Sequence, residues 1–325
     1  MRQQHEILRS APLLNASGDL AEPGWARSLL PVYRRSDIRV SPMRIKEWDY
    51  YLITDGHVGL ALTIADNGYM GLDSVSFLDF DEGWEQTKSP MRLFPMGKTG
   101  LPMGKTALPE TSAAGSSEIA RGGYAMAFYH EDGARRLSFH MDRFLDGDAI
   151  EGIVTLSGAP EESMVIATPF DKPGHFYYNQ KINCMRAEGW ITLGKRRIEL
   201  TPDRFFGVLD WGRGVWTYHN TWYWGSASGE LDGVPFGWNI GYGFGDTSAA
   251  TENVLFYDGK IHKLGEVKFE IPMDEDGFED FMKPWVFTSD DNRFYMNFTP
   301  VLDRSAFMSA GVVLSDQHQV FGHFT

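Results

Sequence analysis

A single cysteine, Cys184, stands in 325 residues. It excludes an internal disulfide, and the usage fits a reducing cytoplasm. Basic runs are missing as well: 30 lysines and arginines face 44 aspartates and glutamates, for a formal net charge of −14. Nucleic acids and anionic membrane surfaces are held by clustered cations, so neither is an expected partner. No window approaches 18 uninterrupted apolar residues, which gives no membrane insertion by a helix. The opening MRQQHEILRSAPLL lacks the apolar core of a signal peptide. The expected location is therefore cytoplasmic, and the sequons at Asn15 and Asn297 are chance matches.

Chemical signatures are sparse too. The nine histidines form no His-x-His or His-Glu-x-x-His array, so no metal site is expected. There is no Gly-x-Ser-x-Gly elbow, and Cys184 lies in a strand-like run without an adjacent base. GYGFG (241–245) runs into a Thr/Ser/Ala stretch rather than a phosphate-binding helix, which removes a dinucleotide site. GLPMGKT (100–106) falls one residue short of a phosphate loop, and proline and glycine continue after it where a helix should open. No organic cofactor is expected.

What the chain does have is aromatic side chains (14%), glycine (35 residues) and turn signals. These favour strands and tight turns. Apolar runs of five to eight residues alternate with DG at 55–56, NG at 67–68 and DG at 258–259, each a hairpin signal. INCMRAEGWITLG reads as two short strands meeting near Gly189, and only DGFEDFMKPW (276–285) holds a hint of helical turn. The prediction is an all-β chain. It comprises an N-terminal arm over 1–35, a first β-barrel over 36–205 with a long loop at 95–119, and a second over 206–325. The last stretch, QHQVFGHFT, reads as a strand that stops at Thr325, leaving the second barrel short of its final strands.

The densest aromatic stretch is LDWGRGVWTYHNTWYWGSASG (209–229), with four tryptophans and two tyrosines among an acid, a guanidinium and a histidine. Read as one strand over 216–228, it places Trp216, Tyr218, Asn220, Trp222, Trp224, Ser226 and Ser228 on one face, with His219 on the other. That face either lines a ligand cavity or fills a barrel core. Asp210 lies three residues from Arg213, and the two form either a structural ion pair or a tuned proton donor with its partner. In FGWNIGYGFG, Phe236, Trp238, Ile240, Tyr242 and Phe244 alternate with Gly237, Asn239, Gly241, Gly243 and Gly245. Glycine on one face marks either close approach of another surface or a sharp barrel bend, and the bend is the reading adopted. His175, Tyr177, Tyr178 and Asn179 in GHFYYNQ, and Asn253 in TEN, are further polar candidates.

EPGWARSLLPVYRR, RIKEWDYYLI, FGVLDWGRGVWTYHNTWYWGSASG, TENVLFYDGKIHKL and QVFGHF together resemble the domain-of-unknown-function family numbered 2804, over nearly the whole chain. That family is distantly similar to two-domain lipocalin-like proteins: AttH, hydroxyneurosporene synthase (carotenoid 1,2-hydratase) and related cyclases. These carry an Asp/His-Trp-Gly block ahead of a Trp-x-Trp-Gly strand, and DWG (210–212) and WYWG (222–225) occupy corresponding places. Trp211 stands where the relatives often carry a histidine beside the acid, a departure from their pattern, and the resemblance implies no known reaction. The resemblance implies two consecutive lipocalin-like (calycin) antiparallel barrels and an apolar ligand pocket.

The expected function is binding of a hydrophobic small molecule, terpenoid, lipid or polyketide-like, with cofactor-free acid–base chemistry of the hydration, isomerisation or cyclisation type. Asp210 would exchange the proton, while Arg213 and Tyr218 orient a polar end. Trp211, Trp216, Asn220, Trp222, Trp224, Trp238, Tyr177 and Asn253 would hold the ligand. The alternatives are a non-catalytic carrier of such a metabolite and a carbohydrate-binding protein. Oligomeric state is not readable from the sequence.

Overall fold

The computed structural model describes residues 3–98, 108–310 and 313–325. The GLPMGKT phrase thus lies wholly outside the described residues, as does the middle of the 95–119 loop. Its C-terminal end is already strand, Gly115–Arg121. Among the described residues the chain is built of strands, with two short 3-10 turns at Arg35–Asp37 and Pro42–Arg44 and no α-helix. No helix is long and apolar enough to cross a membrane. The 276–285 stretch holds turns only.

A 14-stranded sheet makes the first curled unit. Its path runs from Trp84–Lys88 through Met70–Asp79, Val58–Asp66 and Lys46–Thr54 to Phe206–Val215 and Phe176–Leu193. It ends on Asp148–Ser157, Ala134–Leu145, Tyr124–Glu131 and Gly115–Arg121. The hairpins turn at Asp55-Gly56 and Asn67-Gly68, where the glycines take the left-handed backbone (φ 87° and 78°) that such turns require. Opposite ends of the sheet meet across one interior: Tyr51 packs edge-on to Phe128, with centroids 5.2 Å apart, and the Tyr124 hydroxyl donates to Asp73 at 2.9 Å. Alternation shows which face looks into the interior, as in Lys46–Thr54, whose side chains are buried at every second position and half-buried between.

The second unit is two four-stranded antiparallel sheets. Tyr223–Leu231, Val234–Tyr242, Val254–Tyr257 and Lys260–Lys263 form one; Val267–Glu270, Trp285–Ser289, Tyr295–Ala310 and Val313–Phe324 form the other. Trp238, Ile240, Phe269, Trp285, Phe287 and Phe298 fill the space between them. The hairpin at Asp258-Gly259 forms as read, with both residues at positive φ.

Two features of the first unit position the site. Phe206–Val215 is not the start of the second sheet pair: it pairs on both edges inside the large sheet, with Lys46–Thr54 and Phe176–Leu193. Phe176–Leu193 is also one continuous strand rather than two, and Gly189 allows the chain through at φ 138° without breaking it. Its first ten residues are all buried, because one face looks into the first unit and the other meets the second. The arm joins the body through Gly24–Ala26, which pairs with Met164–Pro169.

Candidate functional site

Strand parity splits the DWGRG block. Residues 210 and 213 are three apart, so their side chains leave the sheet on opposite faces. Arg213 and Trp211 point into the first unit, while Asp210 and Gly212 point out towards the second. The expected Asp210–Arg213 pair therefore does not form.

Arg213 instead closes a charged centre in the interior. It is 0% exposed and contacts Asp49 at 3.0 Å and Glu47 at 4.0 Å. It also donates to the carbonyls of Trp48, Gly212 and Pro109, each at 2.8 Å. Tyr33 donates to Glu47 at 2.7 Å, and burial together with that carboxylate's charge holds the Tyr33 hydroxyl well above its ordinary pKa. Arg35 pairs with Glu47 and Ser117 bonds Asp49. The Trp211 ring lies 4.2 Å beneath the Arg213 guanidinium and meets Tyr33 and Tyr178 edge-on.

On the outer face a second charged centre forms. Lys181 sits directly opposite Asp210 in the ladder, and its ammonium donates to Asp210 Oδ1 at 2.8 Å. Asn179, two residues earlier and so on the same face, donates to the same oxygen at 2.5 Å. Glu252 approaches Lys181 from the second unit at 3.6 Å, and the Tyr177 hydroxyl accepts from Lys181 at 3.4 Å. The Lys181 ammonium also lies 4.6 Å over the Trp224 ring, whose Nε1–H is fixed by Asn239 Oδ1 at 2.7 Å. Lys181 is buried, whereas the Asp210 and Glu252 side chains each keep 14% of their surface. Burial, with the charges of Glu252 and Asp210, holds Tyr177 well above the usual tyrosine pKa, so it stays a neutral phenol.

Beside this centre a narrow aromatic crevice opens between the units, with a cavity volume of about 10 Å³ against Ile166, Thr168, Tyr177, Gly241, Tyr242, Phe244 and Glu252. Phe244 is its hub, with ring contacts to Phe170 (5.2 Å), Tyr177 (4.9 Å), Trp216 (5.4 Å) and Trp222 (5.7 Å). Gly243 and Gly245, at φ 89° and 76°, turn the chain so that Phe244 is carried inward. Trp48 stacks on Tyr177 and meets Trp216 edge-on. It lies flat over Gly212, where an added Cβ would come within 2.1 Å of the ring. The glycines of 236–242 act likewise. Gly237 admits Cys184, Gly241 admits the Glu252 carboxylate, and close approach of a second surface replaces the expected bend.

A family model for "Domain of unknown function (DUF2804)" matches residues 4–325. The chain belongs to that family. No curated protein matches the sequence. Among solved structures, an AttH-like protein from Nitrosomonas europaea superposes with a TM-score of 0.55 at 11% identity, over 97% of this chain and 95% of that one. Kievitone hydratase from Nectria haematococca superposes with a TM-score of 0.51 at 9% identity, over 97% and 96%. At such identities the likeness is one of fold: two consecutive lipocalin-like antiparallel β units.

Within this DUF2804 member the expected site residues disperse. Asp210, Tyr177, Trp216, Trp222 and Trp224 gather around the crevice and its charged centre. Arg213 and Trp211 belong to the interior centre. The expected strand over 216–228 is strand only from Tyr223; residues 216–222 have no ladder partner, so their alternation does not hold. Tyr218 consequently stands 79% exposed, stacked on Arg44, and among the described residues Asn220 bonds only Thr217 within its own loop. Trp238 packs with Phe287, Phe294 and Phe324 in the second core, on the face away from Trp224. Asn253 is a structural clamp, accepting from Gly241 N–H and donating to the Gly265 carbonyl. His175 and Tyr178 bond the Pro173 and Pro31 carbonyls. Lys181, Glu252, Phe244 and Trp48 were not singled out by the sequence reading as site residues. The local signals were two, a lysine inside a strand-like run, YYNQKIN, and an acid beside the asparagine in TEN. Among the described residues no group of three or more His, Cys, Asp or Glu is placed to hold a metal ion.

Proposed function

We propose that the crevice binds a hydrophobic small molecule and that the Lys181–Asp210–Glu252 centre performs cofactor-free acid–base chemistry on it, of the hydration, isomerisation or cyclisation type. The observation that carries this reading is a buried ammonium held between two partly open carboxylates at the edge of an aromatic crevice. Asp210 is the proton acceptor: its Oδ1 is fixed by Lys181 and Asn179, so the carboxylate keeps one orientation while its side chain stays within reach of solvent. Tyr177 acts as a neutral hydrogen-bond donor towards a polar group of the ligand. Trp216, Trp222 and Phe244 supply apolar surface. The fold shared with a kievitone hydratase is compatible with such chemistry.

The test begins with solvent extraction of natively purified protein and mass spectrometry of what accompanies it. The recovered compound is then added back while tryptophan fluorescence is followed. Asp210→Asn should bind that compound as wild type does and fail to convert it. Unchanged conversion removes Asp210 from the chemistry, and binding with no conversion by either protein supports a carrier instead.

A further inference from the structure

We infer that the free edge of Val313–Phe324 pairs with the same edge of a second copy of this chain, antiparallel about a two-fold axis at Gln317. Strand edges carry unpaired N–H and C=O groups, and proteins blunt them by keeping them short or by placing lysine or proline on them. Three edges of this molecule follow that rule. Trp84–Lys88, Lys260–Lys263 and Val267–Glu270 end their sheets with five, four and four residues, and each contains lysine. The edge Tyr223–Leu231 is longer, but the first unit covers it, with Asn183 Nδ2 donating to the Ala227 carbonyl at 3.0 Å. Val313–Phe324 ends its sheet with 12 residues and contains no lysine, arginine or proline. Among the described residues its far edge has no ladder partner.

The strand has little behind it. Trp285–Ser289 pairs with Tyr295–Phe298 only, so the rest of the hairpin Tyr295–Ala310 and Val313–Phe324 is a two-stranded ribbon. Arg304 and Gln319 tie it to the first unit, donating to Ser76 Oγ at 2.6 Å and the Tyr50 hydroxyl at 2.9 Å. Beyond those ties Ser305, Ala306, Phe307, Asp316 and Gln317 are exposed, Phe307 to 67%. A two-stranded ribbon is marginal in water, and further strands stabilise it. The edge sequence selects the same edge as its partner, because SDQHQ (315–319) reads alike from both ends around Gln317. In an antiparallel pair centred there, Gln317 meets Gln317, Asp316 of each copy meets His318 of the other, and Ser315 meets Gln319. Amide faces amide, acid faces imidazole and hydroxyl faces amide, so no like charges oppose. His318 Nδ1 is taken by Asp303 at 2.7 Å, which leaves Nε2 for the acid, and its own Asp316 stands 3.7 Å away. Such an interface is isologous and closes at two copies.

Paired edges of this length bury less than a standard interface, so the dimer should be weak, with a dissociation constant of roughly 10–100 µM. Sedimentation velocity of the full chain from roughly 1 to 300 µM should show monomer giving way to dimer. Gln317→Lys and Gln317→Glu each place like charges on the axis and should weaken dimerisation roughly fivefold, while an equimolar mixture of the two should regain wild-type association. Gln317 is exposed and opposes Ala306 within its own hairpin, so both variants should keep the fold, which circular dichroism checks. A wild-type chain that stays monomeric throughout the range overturns the proposal, and that measurement needs no variant. A dimer that both variants leave at wild-type strength uses another surface and overturns it too. So does a mixture no tighter than either variant alone, since it removes the two-fold register at Gln317.

Discussion

One strand serves two charged centres of different character. On the inner face of Phe206–Val215, Arg213 meets Asp49 and Glu47 with every approach closed and backbone carbonyls saturating the guanidinium. On the outer face, Asp210 meets its ladder partner Lys181, Glu252 approaches that lysine across a seam between two units, and both carboxylates keep some exposure. A sealed centre of that kind specifies structure: removing one partner strands the others in a low-dielectric interior. A centre on a seam can exchange protons and ligands. Aromatic rings accompany each, but Trp211 is locked between Tyr33, Tyr178 and Arg213, whereas Trp222 stands 48% exposed at the edge of the crevice. Richness in aromatic and ionisable residues therefore does not by itself mark a site; the face decides.

Breaking the sealed centre should have the largest effect. Arg213→Ala leaves Asp49 and Glu47 buried without their shared cation and is expected to cost about 3–5 kcal/mol, visible as a lowered denaturant midpoint or as loss of soluble protein. Gly212→Ala comes next. Its Cβ would fall within 2.1 Å of the Trp48 ring. Displacing that ring is expected to cost about 1–3 kcal/mol. Because Trp48 stacks on Tyr177, the same change should also alter tryptophan emission and weaken ligand binding at the crevice. A variant with wild-type stability and emission would show that Trp48 has room to move, and the described packing would be wrong.

How much of this was legible beforehand follows from the same parity rule. The hairpins at 55–56, 67–68 and 258–259 were readable because each turn dipeptide carries its own backbone requirement. Trp224, Ser226 and Ser228 do share a face: Trp224 meets Lys181, Ser226 accepts from Asn183, and Ser228 accepts from the Cys184 N–H. Residues 216–222 defeated the same reasoning, since alternation has meaning only where a neighbouring strand enforces it. Asp210 and Arg213 were read as a pair from nearness in sequence, although an odd separation in a strand parts two side chains. Lys181 and Glu252 could not be placed from sequence, because YYNQKINC is buried on both faces and its lysine is satisfied only by residues far along the chain.

Asp210→Asn sharpens the comparison from the other side. The amide keeps the shape, and Lys181 retains Glu252, so the stability loss should stay at about 1 kcal/mol, well below that of Arg213→Ala. Turnover of the co-purified compound should fall by roughly 10²–10⁴. Lys181→Met makes the complementary change: it frees two carboxylates that already touch solvent, and it should destabilise less than Arg213→Ala while still abolishing conversion. Equal destabilisation by Lys181→Met and Arg213→Ala would mean the outer centre is as structural as the inner one, and the acid–base reading would fall.

The smallest effect belongs to Tyr218. The tyrosine lies in the same aromatic stretch as Trp216 and Trp222, yet its ring is 79% exposed and meets the cation of Arg44 rather than the crevice. An exposed cation–π contact contributes about 0.5–1 kcal/mol at most. Tyr218→Ala should therefore shift the unfolding midpoint barely above error and leave ligand affinity unchanged. Trp222→Ala, four residues on, loses a ring packed on Phe244 and should weaken binding several-fold with a similarly small stability change. The pair of variants separates two explanations of the aromatic stretch. If both weaken binding alike, the whole loop closes over the ligand and the site is larger than the crevice. If only Trp222 matters, the ligand is met where the loop touches Phe244, and the site is bounded by the seam between the two units.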